Sequence, residues 1–167
     1  HNKHEKGPYL IERLKSGDDI ALVSDAGMPG ISDPGHELVL ACQKEHISYT
    51  VLPGASAAAA ALVLSGLDNT RYAFEGFLSR NKKERIASLE KLAKEDRTFI
   101  LYEAPHHLKE TLKDLAKYLG DSREIAVCRE LTKKFEEIKR GSLAEMLSFY
   151  LENDPRGEFV LVIAGYQ

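Results

Sequence analysis

The 167-residue chain has no tryptophan, only two cysteines and two methionines, and no excess of positive charge. Its 23 Lys and Arg against 26 Asp and Glu give a formal charge of −3. That excludes a protein coated in positive charge but leaves room for a local basic patch. Cys42 and Cys128 lie in apolar-rich segments without metal-ligand spacing, which argues against a disulfide framework and for a reducing cytoplasm. The longest apolar run, residues 57–64, is far shorter than the roughly 20 residues a bilayer span requires. The opening six residues are polar and no signal-peptide core follows them, so no membrane association is expected. What the chain does have is 43% hydrophobic and 29% charged residues, the balance of a soluble globular protein with a real core.

Periodicity alternates between strand and helix. In the first half the pattern predicts helices over 9–15, 36–45 and 56–65. Strands over 20–23 and 48–52 separate them, an order that implies a parallel sheet with right-handed crossovers. Composition shifts near residue 70, which divides the chain into an α/β lobe over 1–69 and a second α/β lobe with a mixed sheet over 70–167. In the second lobe strands are predicted over 72–77, 98–102, 124–129, 135–139 and 159–164. Helices fall over 82–94, 107–118 and from Ser142 to 151, with Ser142 as a cap. The strand at 159–164 is almost wholly apolar and belongs at the centre of a sheet.

Several loops at strand ends carry residues suited to chemistry. Ser24-Asp-Ala-Gly-Met-Pro-Gly-Ile-Ser-Asp-Pro-Gly35 joins a predicted strand to a helix, where open α/β sheets bind ligands. Its glycines would let a ligand approach the backbone, and the following helix start favours an anion. The same residues also suit a turn-rich connection. The loop is neither a P-loop nor a dinucleotide fingerprint. Pro53-Gly-Ala-Ser-Ala57 holds the equivalent place after the next strand, so the two loops point to one crevice. In the second half Tyr102-Glu-Ala-Pro-His-His107 ends a strand, and its histidine pair lacks a third ligand, which argues against a metal. The charged run from Arg129 to Glu137 suits a solvated hairpin, and Arg80, Lys82, Lys83 and Arg85 suit either a surface helix or phosphate contacts. A serine hydrolase is not indicated, because Gly-x-Ser-x-Gly is absent.

Taken together, the ordered blocks resemble the tetrapyrrole methylase superfamily of S-adenosylmethionine enzymes. They are most similar to its bacterial 16S ribosomal RNA (cytidine 2′-O)-methyltransferase branch. The blocks are the Ala21–Gly35 stretch, Pro53-Gly-Ala-Ser-Ala57, Phe74-Glu-Gly-Phe-Leu78, Leu101-Tyr-Glu-Ala-Pro-His106, Arg129-Glu-Leu-Thr-Lys133 with Phe135-Glu136, and Gly157-Glu158. The resemblance implies two α/β lobes with a cofactor cleft between them, a homodimer, and S-adenosylmethionine as cofactor. It implies methylation of a cytidine ribose in the small ribosomal subunit. A methylase of a corrin or porphyrin precursor, or a non-catalytic module binding RNA or a partner, are the alternatives.

By matching position, Gly27, Pro29, Ile31, Ser56, Ala57, Tyr102, Glu103, Ala104 and Gly165 are expected to contact the cofactor, and no metal is expected. Met28 stands where the superfamily has an acid, which shifts weight to backbone contacts. His107 stands where the branch has Arg. For the chemistry, Glu130 could accept the hydroxyl proton, Lys133 could lower that hydroxyl's pKa, and Arg129 could hold a phosphate; Asp33 is another acid near the cofactor loop, and the sequence does not decide among these. The family's first strand and its Pro-rich loop have no counterpart here, so the chain is expected to be a fragment that binds cofactor weakly or not at all.

Overall fold

The computed structural model describes residues 3–24 and 27–166, so Asp25 and Ala26 of the first glycine-rich loop lie outside the described residues. The chain divides into two compact units, 1–56 and 57–167. The division falls before residue 70 because the alanine-rich helix α3 (Ala57–Ser65) packs on the sheet of the second unit.

In the first unit, α1 (Lys3–Lys15) packs on α2 (His36–Lys44). Buried Ile11 and Cys42 belong to this unit, and a Lys15–Glu45 ion pair at 2.7 Å joins the end of α1 to the residue after α2. The predicted strands over 20–23 and 48–52 do not form: both segments are irregular, and no described residue of this unit lies in a strand. β-branched and apolar residues favour a pleated surface, but a strand exists only when a neighbour completes its ladder. Val23 and Leu52, 85% and 82% exposed, are what such pairing would have covered.

The second unit is built on five strands: β1 (Tyr72–Gly76), β2 (Thr98–Glu103), β3 (Glu124–Arg129), β4 (Glu137–Ser142) and β5 (Phe159–Ile163). Their order is β1-β2-β5-β3-β4. β1 and β2 are parallel, β5 runs antiparallel to both β2 and β3, and β4 is antiparallel to β3. The mixed sheet and the central place of the apolar strand are therefore as expected. β4 starts two residues later than the pattern suggested and leaves Phe135 in the preceding loop.

Alternation along the strands sends side chains to two cores. Phe99, Leu101, Ile125, Val127, Phe159, Leu161 and Ile163 point to one face, with the buried stripes of α4 (Lys82–Leu92), α5 (Pro105–Leu119) and α6 (Leu143–Glu152). Ile100, Ala126, Cys128, Val160 and Val162 point to the other, where Ala58, Ala61 and Leu62 of α3 cover them. Alanines let α3 lie close to the sheet. Caps set the helix starts: the Asn81 side chain accepts from the Lys83 and Glu84 amides, and Ser142 with Glu145 forms a reciprocal capping box.

Candidate active site

Strand directions decide which residues share an edge. Arg129 pairs with both Phe159 and Glu137, and Glu103 pairs with Phe159. The carboxyl ends of β1, β2 and β3 therefore lie at one sheet edge with the amino ends of β4 and β5. That edge gathers Phe77, Tyr102–His107, Arg129–Lys133 and Gly157-Glu158, blocks that are scattered along the sequence. Gly165 is not among them. It follows β5 at the opposite edge, packed on the Asp96 carbonyl, six strand positions or about 20 Å from Glu103. Because β5 runs against β2, Gly165 does not share an edge with Tyr102–Ala104 as its place in the motif order suggests.

The Arg129–Lys133 turn is held in an unusual backbone. Glu130 and Thr132 both adopt positive φ, at 48° and 64°, which non-glycine residues rarely do. Compensating bonds surround them. Glu130 Oε1 accepts from the Glu158 amide at 2.8 Å and from Lys133 Nζ at 3.1 Å, while the Glu130 amide donates to the Glu158 carbonyl at 3.0 Å. Lys133 Nζ also donates to Glu158 Oε2 at 2.7 Å, and the Thr132 amide donates to Glu136 Oε2 at 2.6 Å. Arg129 Nε donates to the Arg156 carbonyl at 2.6 Å.

Gly157 makes this closeness possible. Its φ is +86°, and a Cβ there would come within 2.5 Å of Glu130 Cγ. The Glu158 amide, followed by the Lys133 ammonium, holds the Glu130 carboxyl below its ordinary pKa. Glu158 and then Glu130 hold the Lys133 ammonium above its own. The cluster is thus a fixed cation between two carboxylates, and Glu130 within it is a weak base. Backbone strain concentrated beside a charged cluster is a mark of functional sites.

Glu103, expected at the cofactor, turns its side chain inward and is 8% exposed. Its Oε1 accepts from the Ala104 amide at 2.8 Å, and its Oε2 accepts from the Thr111 hydroxyl at 2.5 Å. Thr111 Oγ1 in turn accepts from Arg85 Nη2 at 2.9 Å, and Arg85 Nε donates to Asp114 at 2.7 Å. This relay ties β2, α4 and α5 together and fixes the backbone of 102–104. Any ligand contact at Glu103 falls to its main chain. Thr111 looks like an ordinary helix residue and carries no sequence signal, and Arg85, grouped by sequence with the basic cluster, is instead committed to Thr111 and Asp114.

In the first unit the two glycine-bearing loops lie side by side. The Met28 amide donates to the Ala55 carbonyl at 2.9 Å, and Gly54 lies against Met28. Gly27, at φ +75°, would push a Cβ to 2.7 Å from that same carbonyl, so only glycine suits the junction. Ile31, 46% exposed, and Asp33 lie further along the loop at the surface, and Ser56 ends the unit. Small residues and exposed main chain suit a ligand held by backbone contacts rather than by side-chain charge. Among the described residues no group of three or more His, Cys, Asp or Glu is arranged to hold a metal, and no helix is long and apolar enough to cross a membrane.

Known proteins share both the sequence and the fold. A ribosomal RNA small subunit methyltransferase I of Synechocystis sp. is 53% identical over 165 residues, covering 99% of this chain and 59% of its own. The protein of the same name from Bacillus subtilis is also 53% identical, over 99% of this chain and 56% of its own. The chain therefore spans less than two thirds of these relatives. Among solved structures, the methyltransferase CobJ superposes with a TM-score of 0.71 at 20% identity, over 96% of this chain and 70% of that one. Uroporphyrin-III C-methyltransferase from Thermus thermophilus, complexed with S-adenosylhomocysteine, superposes with a TM-score of 0.64 at 16% identity, over 97% and 73%. The family model for tetrapyrrole (corrin/porphyrin) methylases matches residues 1–147, and the chain belongs to that family.

Proposed function

We propose that the protein transfers a methyl group from S-adenosylmethionine to the 2′-hydroxyl of a cytidine ribose in small-subunit ribosomal RNA, as a cytoplasmic homodimer. The observation that carries this reading is the 53% identity, over nearly the whole chain, to relatives named as small-subunit ribosomal RNA methyltransferases. The tetrapyrrole enzymes resemble it at 20% identity or less, a level that speaks to fold alone.

In this reading Gly27, Pro29, Ile31, Ser56 and Ala57 hold the cofactor chiefly through main chain, with the backbone of Tyr102, Glu103 and Ala104 contributing. The Gly27–Ala55 junction, where a side chain would not fit, suits that use. S-adenosylmethionine would supply an electrophilic methyl whose bond to sulfur breaks as the bond to oxygen forms. The protein's own tasks are to align the hydroxyl, exclude water and take its proton. Lys133, held charged, favours the oxyanion that develops. Glu130 fixes Lys133 and is a poor proton acceptor for the reason given above. Arg129 holds an RNA phosphate, and Asp33 is the other carboxyl able to take the proton.

Incubation of unmethylated small ribosomal subunits with labelled cofactor, followed by digestion to nucleosides, tests the reading. The expected product is 2′-O-methylcytidine. Label on a base, or only on a porphyrin precursor offered in parallel, refutes it. Asp33→Asn and Glu130→Gln compared in the same assay locate the base: loss of the acceptor costs roughly 10²- to 10⁴-fold in rate.

A further inference from the structure

The Phe74–Leu78 block has so far no task, yet it ends at the same edge as the charged cluster. Gly76 closes β1 at φ +66°, and the ladder to β2 slips between Phe74 and Gly76. A glycine inside a strand pattern commonly marks such a bulge, and here it turns the chain so that Phe77 faces solvent, 58% exposed. The ring is nevertheless held. Its centroid lies 5.7 Å from Tyr102 in a T-shaped contact, and Tyr102 makes a second such contact with Phe74 at 5.0 Å. Three rings in series fix the outermost one, so little side-chain freedom remains to be lost on binding.

Phe135, the other strongly exposed phenylalanine of this unit, already has the Lys134 ammonium 5.6 Å from its ring centre. Positive charge follows Phe77 closely. Arg80 contacts the His107 ring, His106 and His107 lie with ring centroids 4.1 Å apart, and Lys82 and Lys83 are exposed at the start of α4. A held, solvent-facing aromatic next to cations at a sheet edge is the arrangement by which proteins bind unpaired nucleotides.

We propose that Phe77 is the platform on which an unstacked base of the RNA substrate rests, with Arg80 meeting the adjoining phosphate. The proposal rests on the RNA reading above and adds to it that the substrate is bound as a single strand with a base splayed out. A ribose hydroxyl inside a paired helix is hard to bring to an in-line approach, and a base held on a platform frees it.

The chain's lack of tryptophan provides the test. Phe77→Trp introduces a single indole whose emission a stacked base quenches. A single-stranded, cytidine-containing RNA oligonucleotide is expected to quench it, and inorganic polyphosphate, which offers charge without bases, is not. Phe77→Ala should weaken binding of that RNA by about 5- to 150-fold, the range found for loss of one base–aromatic stack, while the melting temperature falls by only about 2–6 °C for the lost contact with Tyr102. Arg80→Gln should make binding less sensitive to salt, lowering the slope by about 0.7 for one lost single-strand phosphate contact. Equal quenching by polyphosphate, no quenching by bound RNA, or Phe77→Ala binding within about twofold of the unaltered protein would each overturn the platform. If the unaltered protein methylates small subunits while Phe77→Ala binds RNA normally, only the platform fails. If the unaltered protein binds no RNA, the RNA reading fails and the platform with it.

Discussion

Replacing Thr111 by valine removes one oxygen and keeps the shape of the side chain. Thr111 is fully buried, and its hydroxyl is the middle link between the Glu103 carboxyl and the Arg85 guanidinium. Valine leaves Glu103 Oε2 without its donor and Arg85 Nη2 without its acceptor, although Ala104 and Asp114 still hold the other atoms of each group. Leaving a buried polar partner unpaired costs about 1–3 kcal/mol, and two are affected, one of them a guanidinium with part of its side chain exposed. A net loss of about 2–3 kcal/mol follows. For a unit of about 110 residues the unfolding entropy is roughly 0.23 kcal/mol per degree, so the melting temperature should fall by about 9–13 °C. Thr111→Ser retains the oxygen and loses a methyl, worth about 1 kcal/mol or roughly 4 °C. Thermal unfolding followed by far-ultraviolet circular dichroism compares the three proteins. A valine variant as stable as the serine variant, or more so, would refute the relay as an organising element. The backbone of 102–104 hangs from that relay, so under the proposed role of those residues cofactor affinity should fall in the same order.

Other outcomes follow from the same reasoning. The Tyr150 hydroxyl is buried without a hydrogen-bond partner among the described residues, and burial pushes its pKa up to about 12, so Tyr150→Phe should stabilise by about 1 kcal/mol and raise the melting temperature by roughly 4 °C. Bonds from Arg97 hold Glu95 down to about 2 in the folded state against an ordinary 4.5. Because the folded pKa is the lower one, this pair stabilises above about pH 4.5, and its contribution is lost as pH falls toward about 2. Urea midpoints of Arg97→Gln should therefore show a shallower acid decline across that window than those of the parent. Gly157→Ala forces a left-handed backbone at a cost of about 1–2 kcal/mol and crowds Glu130, so amide exchange over 130–133 should quicken by roughly 5- to 30-fold while the sheet core stays protected.

The second unit was legible in the sequence because its strands are buried on both faces or capped by unmistakable turns. The apolar run at 159–163 announces a central strand, Gly120 closes α5, and Ser142 marks the start of α6. The segments at 20–23 and 48–52 have the same composition but no neighbour to complete a ladder, and composition cannot report a missing neighbour. Within the candidate site, motif order showed which loops matter. It did not show strand direction, which is why Gly165 was grouped with residues at the far edge. Glu103 illustrates a second limit. A polar residue at a strand end reads the same whether it faces a ligand or, as here, turns inward to tie helices together. The positive φ of Glu130 and Thr132 has no composition signal at all, because the bonds that sustain it come from Glu158 and Glu136.

The position of β5 bears on how the protein is made. It is the latest of the five strands in sequence, yet it stands in the middle of the sheet, between β2 and β3. A nascent chain that has synthesised everything up to α6 holds two separate ribbons, β1–β2 and β3–β4, each exposing an edge that β5 will later fill. Neither core can close until that strand arrives, so the second unit folds after its synthesis rather than alongside it. During that interval the open edges of β2 and β3 are free to pair with other chains. Late arrival of β5 thus makes the edges of β2 and β3 the places where this sheet is most open to pairing with another chain.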